Sequence, residues 1–159
     1  MRMSLSPVGR VSTGMAGYAI EIDEQYRPAL AELRGFGHIN VLWWCHHLDE
    51  SVYRNETVTV KPYRHGPEQV GIFATRSPLR PNPIALTTTR LLDVDLPAGV
   101  LTVAYLDADD GTPVLDIKPY LPGTDRVRDV TTPLWCSDWP QWLEDSASFD
   151  WASVFGNAQ

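Results

Sequence analysis

Three observations predict a mostly β fold: a small antiparallel β-barrel with one or two short helices and a Trp-rich C-terminal tail. First, 13 Pro and 11 Gly punctuate the 159 residues, about one break every eight to twelve residues, a spacing of short strands rather than a helical bundle. Second, Tyr18, Ile20 and Ile22 alternate with Ala19 and Glu21, the period of two of a half-buried strand. Third, the chain has no Gly-x-Gly-x-x-Gly and no βαβ alternation, so a doubly wound parallel sheet is disfavoured.

Taken in order, strands are expected at Ser6–Val11 and Gly17–Ile22. A helix is expected from Glu24 to Arg34, with Asp23 as its cap and Tyr26, Leu30 and Leu33 on one face at i, i+4, i+7. Gly35 and Gly37 end it. His38–Leu48, rich in aromatic and branched residues, reads as a long central strand. Further strands are expected near Thr57–Lys61, Val70–Thr75, Ile84–Val94, Val100–Leu106 and Pro113–Lys118. Leu91 to Val103 is hairpin-like, with Pro97-Ala98-Gly99 as the turn. Four of the six Trp (Trp135, Trp139, Trp142 and Trp151) lie after Thr131. A short helix is expected over Pro140–Asp145, with Pro at its first turn. The organisation predicted is a barrel domain over 1–130 and a tail over 131–159 that packs on the barrel or on a dimer mate.

Composition narrows the function classes. Apolar residues make up 43% of the chain, which suits one folded domain. No apolar run approaches the length of roughly 18 residues that a membrane span needs. The N-terminal residues lack an apolar signal core, and a cytoplasmic home is the expectation. Cys45 and Cys136 are too few for a metal quartet. With 20 acidic and 13 basic residues the net charge is −7, so no global basic footprint for nucleic acid exists. Arg76, Arg80 and Arg90 lie close in sequence and offer a local one.

Two segments carry chemical information. Gly71-Ile72-Phe73-Ala74-Thr75-Arg76-Ser77-Pro78-Leu79-Arg80-Pro81-Asn82-Pro83-Ile84-Ala85 places three Pro in six residues, which fixes φ and restricts each preceding residue. Two Arg and an Asn project from this stiff loop, a donor set for a carboxylate, a phosphate or a base edge. The bland alternative is a Pro-rich barrel corner whose Arg pair with surface acids. The second segment, Leu106 to Pro122, crowds Asp107, Asp109, Asp110 and Asp116 round an Asp110-Gly111 turn. Its spacing does not match an EF-hand loop, and no metal is expected. The better reading is that backbone amides of the Asp110–Thr112 turn and a carboxylate bind a small polar ligand. His46-His47 closes the apolar strand. As neighbours on a strand they face opposite sides and cannot chelate one metal together. Cys45 has no base near it in sequence.

The strings Gly71-Ile72-Phe73-Ala74-Thr75-Arg76-Ser77, Arg80-Pro81-Asn82-Pro83-Ile84 and Asp110-Gly111-Thr112-Pro113-Val114-Leu115-Asp116-Ile117-Lys118-Pro119-Tyr120-Leu121-Pro122 resemble the TsaA-like (YaeB, TrmO) family. Gly37-His38-Ile39 and His46-His47 resemble a third block of it. The likeness runs from about Ser6 to Pro122. It implies a small, mostly antiparallel barrel that binds S-adenosylmethionine without a Rossmann domain and works as a homodimer, with the cofactor near the subunit interface. The activity it implies is methylation of the exocyclic amine of threonylcarbamoyladenosine in tRNA. Carried over by position, Arg76, His46, His47, Thr88 and Asp110-Gly111-Thr112-Pro113 are the cofactor-binding residues. Arg80 and Asn82 match the block that shapes the active site and are assigned as catalytic; Asp107, Asp109 and Asp110 are the candidates for the acceptor's proton, with Asp109 the one chosen.

The chain departs from the family pattern at three places. Ser12-Thr13-Gly14-Met15-Ala16 stands where fuller members carry a Pro-Arg-Gln-type loop. Ala85 replaces a Gly, and the tail replaces a second domain. Two other functions stay open on these grounds. One is a small-molecule methyltransferase, favoured by the acidic charge; the other is a non-catalytic S-adenosylmethionine-binding protein, favoured by the short loop. For tRNA, the mouth expected is Arg76, Arg80 and Arg90, extended by Arg126 and Arg128.

Overall fold

A computed structural model describes residues 3–15 and 17–156. The chain forms two compact units: Met1–Ser51 with Asn82–Arg126, and Val52–Pro81 with Val127–Gln159.

The first unit is a closed antiparallel barrel. Its strands are β1 (Gly9–Gly14), β2 (Gly17–Ile22), β3 (His38–Trp44), β6 (Ile84–Asp95), β7 (Val100–Val103) and β8 (Pro113–Pro119). They close in the order β1-β2-β7-β6-β3-β8. Alternation explains the closure. Ile39 and Val41 of β3, Ile20 and Ile22 of β2, Leu101 and Val103 of β7, Val11 of β1 and Val114 of β8 all turn inward and are buried. Burial of such branched side chains contributes about 1.5–3 kcal/mol each. The last seam is between β1 and β8, where Val8 N donates to Val114 O and Val11 N to Thr112 O. At Gly9 a Cβ would collide with the Glu21 carbonyl oxygen, so only Gly lets β1 approach β2 this closely.

Several elements differ from expectation. β2 spans the predicted residues, whereas β1 starts later and runs on to Gly14 because pairing with β2 continues to Gly14↔Gly17. Ala16 of the shortened loop lies outside the described residues. The helix expected over Glu24–Arg34 is two 3-10 turns, Glu24–Leu30 and Leu33–Gly35. Pro28 removes a donor from the middle of the first turn. Glu32, in the left-handed region at φ 65°, separates the two. Asp23 caps with no side-chain bond; its carbonyl accepts Tyr26 N instead. Leu30 and Leu33 are buried as the periodicity predicted. The central strand stops at Trp44, where Cys45 N turns to Pro83 O and His46–Leu48 form a 3-10 turn.

In the second unit a short hairpin pairs β4 (Val58–Val60) with β5 (Gln69–Gly71). The strand expected to reach Thr75 ends at Gly71 and passes into a 3-10 turn, Ile72–Ala74. The helix expected over Pro140–Asp145 is displaced to a 3-10 turn at Leu143–Ser148, followed by a short α-helix at Trp151–Val154. The tail gathers on Tyr63. Its ring stacks on Trp135 at 5.1 Å and meets Trp139 edge-on at 5.0 Å. A bridge between Tyr63 and Phe155, with Arg64 N donating to Val154 O and Gly156 N to Pro62 O, joins the two chain segments.

Candidate functional site

The Asp109–Thr112 turn is built by the barrel seam. Thr112 N donates to Asp109 O at 3.2 Å, and Gly111, at φ 77°, occupies the third position, which favours Gly. Gly111 N donates to Val11 O at 2.8 Å, and Thr112 is 2% exposed. The amides of Gly111 and Thr112, read from sequence as ligand donors, are therefore engaged within the barrel. Of the Asp110 carboxylate, Oδ1 accepts Thr13 N at 2.8 Å, tying the turn to the short β1–β2 hairpin. Asp109 and Asp110 are exposed, and Pro113 begins β8 half-buried. The turn thus presents the Asp109 and Asp110 side chains to solvent, while the Gly111 and Thr112 N–H groups bond within the barrel.

His46 and His47 do not face opposite sides. The 3-10 turn brings their rings to 3.8 Å at a 40° tilt, a paired imidazole surface. Next to them, Trp44 Nε1 donates to Asp49 Oδ2 at 3.0 Å.

Thr88 lies on β6 opposite Asn40 of β3. Its Oγ1 donates to Asn40 Oδ1 at 2.7 Å, and Asn40 Nδ2 donates to Asp125 Oδ1 at 3.0 Å. The other Asp125 oxygen accepts Leu121 N at 2.7 Å. Sequence reasoning missed Asn40 and Asp125. The signal available was a lone amide inside the run Ile39 to Trp44, since a polar group buried there needs partners. Nearby, Arg90 pairs in register with His38, whose ring meets Tyr120 edge-on.

The Pro-rich loop is divided by the unit boundary. Arg76 and Arg80 belong to the second unit, while Asn82 and Pro83 belong to the barrel. Arg76 is exposed and Arg80 half-buried. Arg80 Nη1 folds back to 3.5 Å from both Thr75 O and Ser77 O, and Arg54 Nη1 donates to Pro81 O at 3.2 Å. Thr75, buried, fixes the loop's start through Oγ1 to Ile72 O at 2.8 Å. Asn82 is exposed; its carbonyl accepts Ile84 N at 2.7 Å.

Two phenols are shifted. Burial first, then the Asp107 carboxylate to which its hydroxyl donates at 3.2 Å, raise Tyr105 above its ordinary value. Burial first, then the Cys136 thiol, raise Tyr63. Among the described residues, no three His, Cys, Asp or Glu side chains gather as metal ligands, and no helix is long and apolar enough to cross a membrane.

The barrel, its Asp109–Thr112 turn and the Arg-Pro-Asn-Pro loop fall within one family match: residues 7–126 fit the tRNA-methyltransferase O N-terminal domain. The chain belongs to this family. Its relatives include an S-adenosyl-L-methionine-binding protein of Archaeoglobus fulgidus, 38% identical over 122 residues, covering 77% of this chain and 81% of the relative. A tRNA (adenine(37)-N6)-methyltransferase of Escherichia coli is 40% identical over 106 residues, 65% of this chain and 44% of the enzyme. The crystal structure of TrmO from Pseudomonas aeruginosa superposes with a TM-score of 0.64 at 30% identity, over 82% of this chain and 61% of that one. The chain spans about half the length (56%) of a Pyrococcus abyssi relative as well. The family match ends at 126, before the Trp-rich tail.

Proposed function

We propose that this chain is an S-adenosylmethionine-dependent methyltransferase acting on the exocyclic amine of threonylcarbamoyladenosine in tRNA. The observation that carries the reading is the family match over residues 7–126, which takes in every residue assigned to cofactor or catalysis.

The donor set fits that cofactor. Asp110 offers a carboxylate to its cationic groups. The paired imidazoles of His46 and His47 offer an aromatic face and ring nitrogens to an adenine. Arg76, in the second unit, offers a guanidinium to a carboxylate. Thr88, Gly111, Thr112 and Pro113 complete the proposed set; Thr112, being buried, acts through the shape of the turn. When bound, the cofactor supplies a methyl group on cationic sulfur that needs no protein nucleophile. The protein's task is then mainly positioning. Arg80 and Asn82 orient the acceptor, and the exposed Asp109 carboxylate takes up the proton that leaves the amine nitrogen. Working as a homodimer in the cytoplasm completes the proposal.

The net charge of −7 is not spread evenly. Residues 52–81 hold Arg54, Lys61, Arg64, Arg76 and Arg80 against only Glu56 and Glu68, a cationic stretch suited to phosphates. A second reading, a non-catalytic binder of the cofactor, is favoured by the short β1–β2 loop, where Asp110 already holds Thr13.

Two measurements test the proposal. Calorimetric titration with S-adenosylmethionine should show saturable binding, weakened by about 1.5–3 kcal/mol in Arg76→Ala for loss of a charge-assisted hydrogen bond. Mass spectrometry of tRNA nucleosides from cells with and without the gene should show methylated threonylcarbamoyladenosine only in the former. Binding without any change in the nucleosides overturns the tRNA assignment and leaves the binder.

A further inference from the structure

Phe73 is 80% exposed, and the fold holds it there. The 3-10 turn Ile72–Ala74 sends Ile72 into the interior at 3% exposure and Phe73 to solvent. The turn is fastened on both sides. Ile72 N donates to Thr57 O at 2.9 Å, and Ile72 O accepts both Thr75 N at 3.1 Å and Thr75 Oγ1 at 2.8 Å. An aromatic ring kept in water by a rigid frame is an unfavourable placement for stability alone.

Its surroundings separate it from the other exposed aromatics. Trp142, 62% exposed, lies in a stretch with Asp138, Glu144 and Asp145. Tyr105, 53% exposed, donates its hydroxyl to Asp107 and packs on Tyr18. Phe155, 42% exposed, packs on Tyr63 and Trp151. Phe73 has no ring partner among the described residues. It sits three residues before Arg76 in the 52–81 stretch, where five cations stand against two acids, and Arg80 folds back over the carbonyls of Thr75 and Ser77.

An exposed flat apolar face on a cation-rich segment is the kind of surface that takes an unpaired nucleobase. The ring stacks on the base and the cations follow the phosphates. Sequence-specific recognition of RNA works largely through such splayed, single-stranded bases. We propose that Phe73 is a base-stacking platform for an unpaired nucleotide of the RNA substrate, a contact separate from the cofactor site. The inference rests on the tRNA reading above.

The test compares the whole protein with Phe73→Ala and Phe73→Trp, using an anticodon stem-loop RNA. Because the ring lies outside the core, circular dichroism should show both variants folded. Binding by fluorescence anisotropy should weaken about 10-fold or more in Phe73→Ala, within the range measured for loss of one stacked base. In Phe73→Trp it should return to the native value, since any flat ring serves. Affinity for S-adenosylmethionine by calorimetry should stay unchanged, because the aromatic face proposed for the cofactor's adenine is the His46–His47 pair and not Phe73. The loss in turnover should appear in the KM for RNA and not in kcat. Unchanged RNA binding in Phe73→Ala overturns the inference. So does a parallel loss of cofactor affinity, which would place the ring in the cofactor site, or a shift in oligomeric state, which would place it against a second copy. A native protein that binds the RNA but transfers no methyl group overturns the tRNA methyltransferase reading and leaves the platform standing. No RNA binding by the native protein overturns both.

Discussion

In the barrel unit, strand ladders and an aliphatic interior hold the chain together; in the second unit, aromatic faces do. The barrel closes six strands round Ile20, Ile39, Val41, Leu101 and Val114. The second unit has one hairpin of three-residue strands and depends on Tyr63, Trp135, Trp139, Trp151 and Phe155. The difference shows in where order comes from. Ladders propagate pairing from one strand to the next, whereas an aromatic cluster depends on a few large contacts. Removing one of them should therefore cost the second unit more than removing one aliphatic costs the barrel.

The largest expected effect is at Tyr63. Tyr63→Ala should cost about 3–5 kcal/mol, as for other buried aromatics. Amide hydrogen exchange at Arg64, Ile72 and Gly156 should speed up accordingly, with the Val11 and Ile39 amides as the control. Equal acceleration at all five sites breaks the comparison. Next is Leu101→Ala at the barrel centre, where the side chain is fully buried. A loss of about 2–5 kcal/mol is expected in denaturant unfolding, with the β-strand signal lost in one transition.

A smaller effect is expected at Asp110. Its carboxylate accepts Thr13 N on an exposed surface, so Asp110→Ala should cost only about 1 kcal/mol. Asp110→Asn, which keeps an acceptor oxygen, should restore much of that stability. If Asp110 also meets a cation of the cofactor, only the alanine's stability defect is repaired by Asn while cofactor binding stays weak, and parallel calorimetry reads the difference.

The smallest effect is a pH dependence. The Tyr63 phenol is raised by burial and by Cys136. A raised pKa means that the folded state holds the proton more tightly. The contribution is fully present below the unfolded value near 10 and is lost as pH climbs through the folded value. Thermal unfolding should show stability falling above about pH 10, less steeply in Tyr63→Phe. An identical slope in the variant removes Tyr63 from the account.

How much the sequence revealed follows the same division. The alternation of Tyr18, Ile20 and Ile22 predicted β2 to the residue, because half-buried strands write their period directly. The i, i+4, i+7 spacing of Tyr26, Leu30 and Leu33 found the correct buried residues but not the helix type, since Pro28 interrupts the hydrogen bonding that periodicity ignores. His46 and His47 were misplaced because the strand ends at Trp44, and nothing local in an aromatic run marks that end. Thr88 was legible only by resemblance, and its partner Asn40 only as an odd polar residue. The meeting of Tyr63 with Trp135 and Trp139 joins residues more than 70 positions apart, a tertiary fact that no local pattern carries. The constraint that Pro78, Pro81 and Pro83 place on the Arg76–Pro83 loop could be read locally, because Pro acts on its own neighbours.

The most direct test of the functional account uses purified protein, S-adenosylmethionine with an isotopically labelled methyl group, and tRNA from cells lacking the gene. After digestion, the account predicts label in threonylcarbamoyladenosine, on the exocyclic nitrogen, and a steep fall in labelling as salt rises because counterions are released on binding. Saturable binding of S-adenosylmethionine with no label in any tRNA nucleoside would contradict it.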